Sequence, residues 1–398
     1  MMTKKWLFVG VFLTLVMGRE VLPALAANCG GATACRCGDT VVTNYNMSRD
    51  LGPCPRRSGS KVDTIGLTVK SGVTLDCQGH EISGPNDTLK NSFGLRVGSS
   101  SSSTPAQNVT IRNCTVTHFW WGAYINNATD VLIEANTFHE NGWKDPVLNG
   151  TGYGLDVANS QFITVRDNTI TDSGNEGFHL SHSQHVTVED NVIANSGREQ
   201  LYLYHADDNI IRRNLATGGT QGLEMRFSDR NAFSYNRWLN SPKQWLENDD
   251  TQNTFLYEHF DGMVLVGGKS TGNTFSLCEF THPTGICFRN KGKNTTIYKG
   301  HFSSCLQDIK AGGNPLLDRC VGVNQTTGKF TAVYPGCVAD VDNDGDVDGQ
   351  DQTMLSAALP SHVGSVDWNP EVDIDHDGTV DNQDQSLLTA ALGACPNN

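Results

Sequence analysis

Most of this chain is predicted to fold as an all-β domain, a right-handed parallel β-helix solenoid, on three observations. A phrase typified by Phe162-Ile-Thr-Val-Arg-Asp-Asn recurs at intervals of about 23 residues. A second phrase, typified by Gly154-Leu-Asp-Val, precedes it in each interval. Both phrases are short and rich in β-branched residues, and no helical stretch separates them. Stacked coils of strands are therefore expected, whereas the blades of a β-propeller run to about 40 residues.

Each coil also carries an asparagine three residues after its last apolar strand position. These residues are Asn136, Asn168, Asn191, Asn214 and Asn236. An asparagine ladder at an inward turn can hydrogen-bond the backbone of neighbouring coils.

The first 27 residues have the three-part pattern of a secretory signal peptide. Lys4 and Lys5 precede an apolar run from Trp6 to Met17, and Ala24-Leu-Ala supplies small residues for cleavage. A membrane anchor is the alternative, but the run is shorter than the ~20 apolar residues that span a bilayer, and no later segment is long enough. The protein is therefore expected to be secreted, with cell-surface attachment as an option.

The cysteines agree with export. All 12 follow the predicted cleavage point, and an even number in an exported chain indicates disulfides. Zinc binding is the competing interpretation, but Cys35-Arg-Cys37 lacks the two-residue spacer of a zinc site. Cys29, Cys35, Cys37 and Cys54 crowd the mature N-terminus, where they are expected to close the open end of the solenoid.

The net charge of −14 is concentrated in the tail. Residues 337–398 contain 13 Asp and Glu and no Lys or Arg, so this segment alone carries −13. Such asymmetry indicates a β-helix domain at residues 28–336 and a separate module at residues 337–398. No basic stripe is present, which argues against nucleic acid as a partner.

The acidic module contains two loops with the spacing of an EF-hand calcium site. Oxygen-bearing residues recur at the ligand positions of both loops, and each glycine lies where the chain must turn sharply. Each loop is expected to bind one Ca²⁺, whereas a disordered acidic tail would not repeat this pattern. The predicted ligands are Asp340, Asp342, Asp344, Asp346, Asp348 and Asp351 in the first loop, and Asp373, Asp375, Asp377, Thr379, Asp381 and Asp384 in the second.

One helix is predicted after each loop, over residues 352–359 and 385–392, and none before it. A calcium loop with an exit helix, present twice, resembles a dockerin, the module that attaches enzymes to cohesin scaffolds. The resemblance implies a cohesin-type partner. However, Gly349-Gln and Asn382-Gln stand where dockerins commonly have Ser or Thr. A calcium-stabilised spacer or surface anchor is the alternative.

The β-helix domain resembles a large family as well. Cys37-Gly-Asp-Thr, Val73-Thr-Leu-Asp-Cys-Gln-Gly-His-Glu-Ile and the coils after them are similar to the parallel β-helix repeat proteins. That family includes pectate and alginate lyases, mannuronan epimerases and carbohydrate-binding relatives, so the resemblance implies a polysaccharide partner without fixing an activity. Tyr153-Gly-Leu-Asp is similar to the start of the mannuronan epimerase motif, but Val157-Ala follows where that family has Pro-His.

Aligning the second phrase of each coil predicts columns of outward side chains, with members about 4.8 Å apart. One column reads Arg96, Tyr124, Asp156, His179, Tyr202, Glu224 and Glu247; the next reads Asn126, Ala158, Ser181, Tyr204, Arg226 and Asp249, with His182 and His205 beside it. Outward positions of a solvated sheet are normally polar. Passive faces favour Thr, Ser, Asn and Lys, and the column from Arg96 to Glu247 contains none of these. A functional groove is therefore predicted.

The predicted spacing favours β-elimination on a uronate. Asp156, His179 and Tyr202 fall on successive coils, where they could take a C5 proton and protonate the leaving oxygen. Arg226 is expected to balance the uronate carboxylate, and His205 to lie at the edge of the cleft. These residues predict a polysaccharide lyase acting on a uronate-containing polysaccharide.

Two alternatives stay open. A glycoside hydrolase would use Glu224 and Glu247, which the alignment places one coil apart, a spacing compatible with a retaining pair. Asp156 and Glu224, three coils or roughly 14 Å apart, are too distant for such a pair. A non-catalytic carbohydrate-binding or cell-surface protein, displayed through the tail, is the second alternative.

Overall fold

The computed structural model describes residues 27–56, 64–85, 91–142, 152–305, 307–311, 316–318, 339, 341, 347–362, 369, 372–374 and 379–392. Nearly all of the predicted signal peptide lies outside these described residues. So do six of the predicted calcium ligands, Asp340, Asp342, Asp344, Asp346, Asp375 and Asp377.

Three parallel sheets form a β-helix, as the repeats predict. The first sheet comprises Asn28–Cys29, Asp39–Val41, Thr64–Val69, Ser92–Gly98, Trp121–Asn126, Tyr153–Ala158, Phe178–Ser181, Glu199–Tyr204, Gln221–Arg226, Lys243–Asn248, Met263–Val266, Ile286–Asn290 and Gln307–Ala311. The second comprises Tyr45–Asn46, Thr74–Asp76, Ala106–Arg112, Ala128–Glu134, Gln161–Arg166, Thr187–Glu189, Ile210–Arg212, Ala232–Ser234, Thr254–Leu256, Thr274–Ser276, Thr296–Tyr298 and Leu316–Asp318. The third comprises Glu81–Ser83, Thr115–Thr117, Thr137–His139, Thr169–Thr171, Val192–Ala194, Leu215–Thr217, Arg237–Leu239, His259–Asp261, Glu279–Thr281 and His301–Ser303.

Columns of like side chains fill the interior of the coils. Leu155 pairs with Phe178 of the next coil, and both are fully buried. Further along, the rings of Phe233, Phe255 and Phe275 stack at 4.6 and 4.5 Å between centroids. Because burying one such side chain stabilises a fold by roughly 1.5–3 kcal/mol, these columns supply much of the driving force for folding.

The predicted asparagine ladder is present at the corner between the second and third sheets. Asn168 donates from both its backbone N and its Nδ2 to Asn191 Oδ1, each at 3.0 Å. The row continues to Asn236, whose Nδ2 donates to Glu258 Oε1 at 2.9 Å. A second ladder of Asn209, Asn231, Asn253 and Asn273 lies at the corner between the first and second sheets.

A glycine bends many of the first-sheet strands. A Cβ on Gly94 would lie 2.3 Å from Val116 Cγ1, and one on Gly154 would lie 2.4 Å from Ile170 Cγ2, so both glycines face the core. The backbone pairing between neighbouring strands joins Phe93 to Trp121, skips the glycine of each strand, and resumes at the residue that follows it. As a result, the residue just before the glycine and the residue two positions after it both face outward.

Disulfides close the N-terminal end, as the cysteine cluster predicts. Cys29 is bonded to Cys35 and Cys37 to Cys54. Two further disulfides, Cys77–Cys114 and Cys287–Cys305, lie along the solenoid.

The described part of the tail contains two helices, Gly349–Ala358 and Asn382–Ala391, and a two-stranded antiparallel pair, Ser361–His362 with Thr379–Val380. The helices begin earlier than predicted because aspartates inside the loops cap them. Asp348 Oδ1 accepts from Gln350 N at 2.6 Å, and Asp381 caps the second helix in the same way.

The tail has a hydrophobic cluster distinct from the β-helix core. Val341, Leu355, Val372 and Leu388 belong to it and are nearly inaccessible to solvent. Neither helix among the residues that the structure describes is long and apolar enough to cross a membrane.

Candidate active site

Three columns of side chains stand on the outer face of the first sheet. The first consists of Phe93, Trp121, Tyr153, Glu176, Glu199 and Gln221; the second of Arg96, Tyr124, Asp156, His179, Tyr202, Glu224 and Trp245; the third of Asn126, Ala158, Ser181, Tyr204, Arg226 and Asn248. Neighbouring members of a column lie about one strand spacing, ~4.8 Å, apart.

Asp156, His179 and Tyr202 lie side by side on three successive strands. His179 Nδ1 is 3.1 Å from Asp156 Oδ1, so the Nε2 atom of the ring faces away from that carboxylate. The imidazole lies between Tyr153 and Tyr202, at centroid distances of 4.8 and 5.3 Å. These side chains are more covered than the outward position implies, since Asp156 is only 5% exposed.

The surroundings tune the proton affinities of this group. Burial lowers the pKa of His179, but the charge of Asp156 and its hydrogen bond outweigh burial and hold the pKa above its usual value of 6.5. Burial raises the pKa of the Tyr202 phenol, although Arg226 opposes the shift. The carboxylate of Asp156 therefore favours the protonated imidazole, and burial favours the protonated phenol.

Two buried carboxylates beside this group, Glu176 and Glu199, are absent from the predicted site. Arg198 Nη2 lies 3.1 Å from Glu199 Oε1, and its Nη1 lies 3.6 Å from Glu176 Oε1. Gln221 Nε2 donates to Glu199 Oε1 at 2.6 Å and to Glu224 Oε2 at 2.5 Å. Burial, together with the neighbouring Glu224, raises the pKa of Glu199 to about 8.

The predicted alignment is wrong at the coil that follows Glu224. Glu224 pairs with Trp245 rather than with Glu247, and Glu247 is an extra residue at a β-bulge beyond that pair. The third column shifts likewise, so that Asn248 stands where Asp249 was predicted. A bulge of one residue leaves no sign in the repeat phrase.

Arg226 is engaged by two acidic residues. Its Nε lies 2.7 Å from Glu224 Oε1 and also contacts Glu247 Oε2. The two carboxylates of the hydrolase alternative therefore hold one guanidinium between them. The charge of Arg226, predicted to balance a uronate, is already offset within the protein.

His182 and His205 occupy the corner next to the third column. Both have left-handed backbone angles, with φ of 48° and 50°, a conformation that favours Gly and Asn. Their imidazoles stack at 5.0 Å, and His205 stacks on Phe227 at 4.8 Å. His205 thus lies beside Tyr204 at the edge of the columns, in a ring stack of its own.

Aromatic rings dominate the N-terminal end of the columns. Phe93 and Trp121 stack at 4.7 Å with an interplanar angle of 7°, and Tyr124 lies 5.2 Å from Phe93. The Arg96 guanidinium lies over the Phe93 ring at 5.6 Å. Ring contacts then run in sequence through Phe93, Trp121, Tyr153, His179, Tyr202, Tyr204, His205 and Phe227.

The two loops of the tail place their last aspartates alike. Asp351 Oδ2 accepts from Asp348 N at 2.7 Å, and Asp384 Oδ2 accepts from Asp381 N at 2.8 Å. Asp351 and Asp384 have no exposed surface, and Asp373 is 1% exposed.

Several solved structures are similar to this chain. The Dettilon tailspike protein is similar over 71% of this chain and 60% of its own, with 14% identity and a TM-score of 0.52. The periplasmic alginate epimerase AlgG is similar over 70% of this chain and 66% of its own, with 12% identity and a TM-score of 0.47. The AlgE6 A-module, a mannuronan C-5 epimerase from Azotobacter vinelandii, is similar over 74% of this chain and 87% of its own, with 10% identity and a TM-score of 0.47.

The tailspike likeness, at this low identity, shows the fold alone, and the chain spans 60% of the tailspike's length. No curated protein matches the sequence. The family described as periplasmic copper-binding protein (NosD) matches residues 78–276, half of the 398-residue chain. The chain therefore belongs to the NosD family.

Proposed function

We propose that the β-helix is a polysaccharide lyase acting on a uronate-containing polysaccharide. The observation that carries this proposal is the contact of His179 with Asp156 and Tyr202 on three successive strands. A base and a proton donor about one strand spacing apart are close enough to reach the C5 hydrogen and the neighbouring glycosidic oxygen of one uronate together.

In the proposed reaction His179 Nε2 takes the C5 proton of the uronate. The C4–oxygen bond then breaks, a C4–C5 double bond forms, and the leaving oxygen receives the phenolic proton of Tyr202. Asp156 holds Nδ1–H, which fixes the tautomer and stabilises the imidazolium that forms. Proton exchange with solvent restores both groups.

Assays of the purified full-length protein against a panel of polysaccharides test the proposal. A lyase gives products whose unsaturated uronate absorbs in the ultraviolet. New reducing ends without that absorbance would instead support the hydrolase alternative with Glu224 and Glu247. Retention on the polysaccharide with neither signal would leave a carbohydrate-binding protein.

We further propose that the tail binds two Ca²⁺ ions and attaches the exported protein to a cohesin-type scaffold or the cell surface. Three of its aspartates, Asp351, Asp373 and Asp384, are almost completely buried and stand at ligand positions of the two loops. Carboxylate oxygens at this spacing are the hard ligands that Ca²⁺ prefers. The four described disulfides suit an oxidising, extracellular location.

Calcium titration of the full-length chain tests the tail. Calorimetry should give about two sites per chain, one for each loop. The double variant Asp351→Asn with Asp384→Asn should lose both. Asp172→Asn, a change on the β-helix, is the control and should bind like the wild type; unaltered binding by the double variant would refute the assignment.

The family description names copper, and the described residues do not fit a copper site. Among them, no group of three or more His, Cys, Asp or Glu side chains is arranged to hold a metal ion. The stacked pair of His182 and His205 supplies two imidazoles only. No step of the proposed reaction involves copper.

A further inference from the structure

The aromatic end of the columns has no part in the proposed proton transfers. Its rings lie on the strands Ser92–Gly98 and Trp121–Asn126, two to three coils before His179. At ~4.8 Å for each coil, Arg96 stands about 14 Å from His179 along the solenoid. A ligand that reaches both must therefore lie along the solenoid axis.

Arg96 differs from Arg226 in its charge balance. Arg226 is paired with Glu224 and Glu247. Within the described ranges no carboxylate lies within 4.0 Å of the Arg96 guanidinium, which donates to Ser99 Oγ at 3.2 Å and lies over Phe93. An unbalanced guanidinium is the better partner for the carboxylate of a ligand.

The rings beside Arg96 suit the apolar face of a sugar. Trp121 is only partly buried, and its indole stacks on Phe93 while Tyr124 lies 5.8 Å away. Stacked neighbours hold the indole in place, so little side-chain entropy is lost when a ligand binds. The ring contacts lead from Trp121 through Tyr153 to His179, so the surface is continuous with the proposed active site.

We propose that Trp121 and Arg96 form a distal subsite for a uronate residue of an acidic polysaccharide, and that the polymer lies parallel to the solenoid axis with its scissile bond at His179. This inference rests on the proposed function for the identity of the ligand. Trp121 stacks on the sugar ring, and Arg96 binds its carboxylate. Long oligouronates occupy both sites, whereas disaccharides reach only one of them.

Binding measurements in the His179→Asn background, which prevents turnover, test the subsite. The probes are di-, tetra-, hexa- and octasaccharides of alginate and of polygalacturonate, with carboxyl-reduced alginate oligomers as neutral counterparts. Trp121→Ala should weaken octasaccharide binding about tenfold, in line with ~1.5 kcal/mol for an aromatic contact. Arg96→Gln should weaken it at least about tenfold for acidic oligomers and leave the neutral ones unchanged.

Matched controls lie on the other sheets. Phe162→Ala removes an exposed aromatic ring from the second sheet, and Arg237→Gln removes an exposed cation from the third. Neither should alter binding. Trp121→Phe keeps a stacking ring and should recover most of the affinity, which separates a lost contact from a misfolded coil.

The experiment can reject the subsite proposal and the lyase proposal independently. Equal affinity of Trp121→Ala and wild type for octasaccharides, or equal losses for disaccharides and octasaccharides, would overturn the subsite. So would a failure of every acidic oligomer to bind. Binding that depends on Trp121 and Arg96, without any unsaturated product from the wild type, would retain the subsite and reject the lyase.

Discussion

His179 is the residue on which the proposed chemistry depends. His179→Asn places an amide nitrogen near the position of Nδ1, so that the hydrogen bond to the buried Asp156 can persist without Nε2. We expect kcat for the unsaturated product to fall by at least about a hundredfold, the usual contribution of a general base. Thermal unfolding should change little.

The matched control is His301→Asn, which changes an exposed histidine on the third sheet. It should leave both kcat and thermal stability unaltered. Wild-type activity in His179→Asn would assign the base to another group.

Asp156 is expected to act on the reaction through His179. A base must be neutral, so kcat/KM should rise with pH through the pKa of His179, which Asp156 holds above 6.5. In Asp156→Asn, burial lowers the pKa of His179 without that opposing charge, and the acidic limb should move to lower pH. The plateau should also fall, because the imidazole loses its orientation.

A pH–rate profile of both proteins measures this shift. Asp167→Asn, at an exposed corner of the second sheet, should reproduce the wild-type profile. An acidic limb that stays in place in Asp156→Asn would show that His179 does not titrate in the rate-determining step.

At the scale of one strand, the sequence predicts some of the outward-facing residues of the site and misses others. The second column is readable from the repeat because Arg96, Tyr124, Asp156, His179, Tyr202 and Glu224 each follow the bend at the same distance. The first column is not. Simple alternation assigns the residue before Gly154 or Gly177 to the core, but the glycine itself faces inward and turns Tyr153 and Glu176 outward.

The asparagine ladder makes a prediction for the corners of the coils. Asn191 accepts from Asn168 N and donates to Val165 O at 2.9 Å, all in the interior. Asn191→Ala should lower the free energy of unfolding by ~2–4 kcal/mol, because it leaves several buried backbone groups without partners. Urea denaturation monitored by circular dichroism measures the change.

Asn46→Ala is the control for that loss. Asn46 is an exposed asparagine on the second sheet, and its replacement should cost less than about 0.5 kcal/mol. Comparable losses in the two variants would show that the ladder contributes nothing specific.

The molecule as a whole should be most stable in mildly acidic solution. Burial raises the pKa of Glu199, Asp250 and Glu258 to about 8 each, from ordinary values of 4.5, 3.8 and 4.5. Between about pH 5 and pH 8 the folded chain keeps protons that the unfolded chain has lost, so stability falls as pH rises. Carboxyl groups with a lowered pKa, such as Asp50 and Asp76, affect the stability of the fold only at more acidic pH.

Thermal unfolding at constant ionic strength and calcium concentration tests this dependence. Tm should decrease between about pH 5 and pH 8, and Glu258→Gln, which cannot ionise, should make the decrease shallower. A Tm that rises over this interval would contradict the assignment.

At this largest scale the sequence predicts the solenoid and the disulfides near its N-terminal end. Each follows from a pattern repeated along the chain or concentrated in one segment. The burial of Glu199 and the contact of Arg226 with Glu247 follow from contacts between coils. No pattern within one coil encodes such contacts.

The asparagine row gives the solenoid a direction. Each Nδ2 from Asn136 to Asn214 donates to the Oδ1 of the next asparagine toward the C-terminus, besides its bond to a backbone carbonyl of the preceding coil, so the amide dipoles align along one corner and polarise one another. The positive end of this row meets the carboxyl group of Glu258, much as the N-terminus of a helix meets an acidic side chain. Glu258 also accepts from Trp238 Nε1 at 2.6 Å. The row of aligned dipoles therefore ends at the coil of Glu258, although the stack of coils continues beyond it.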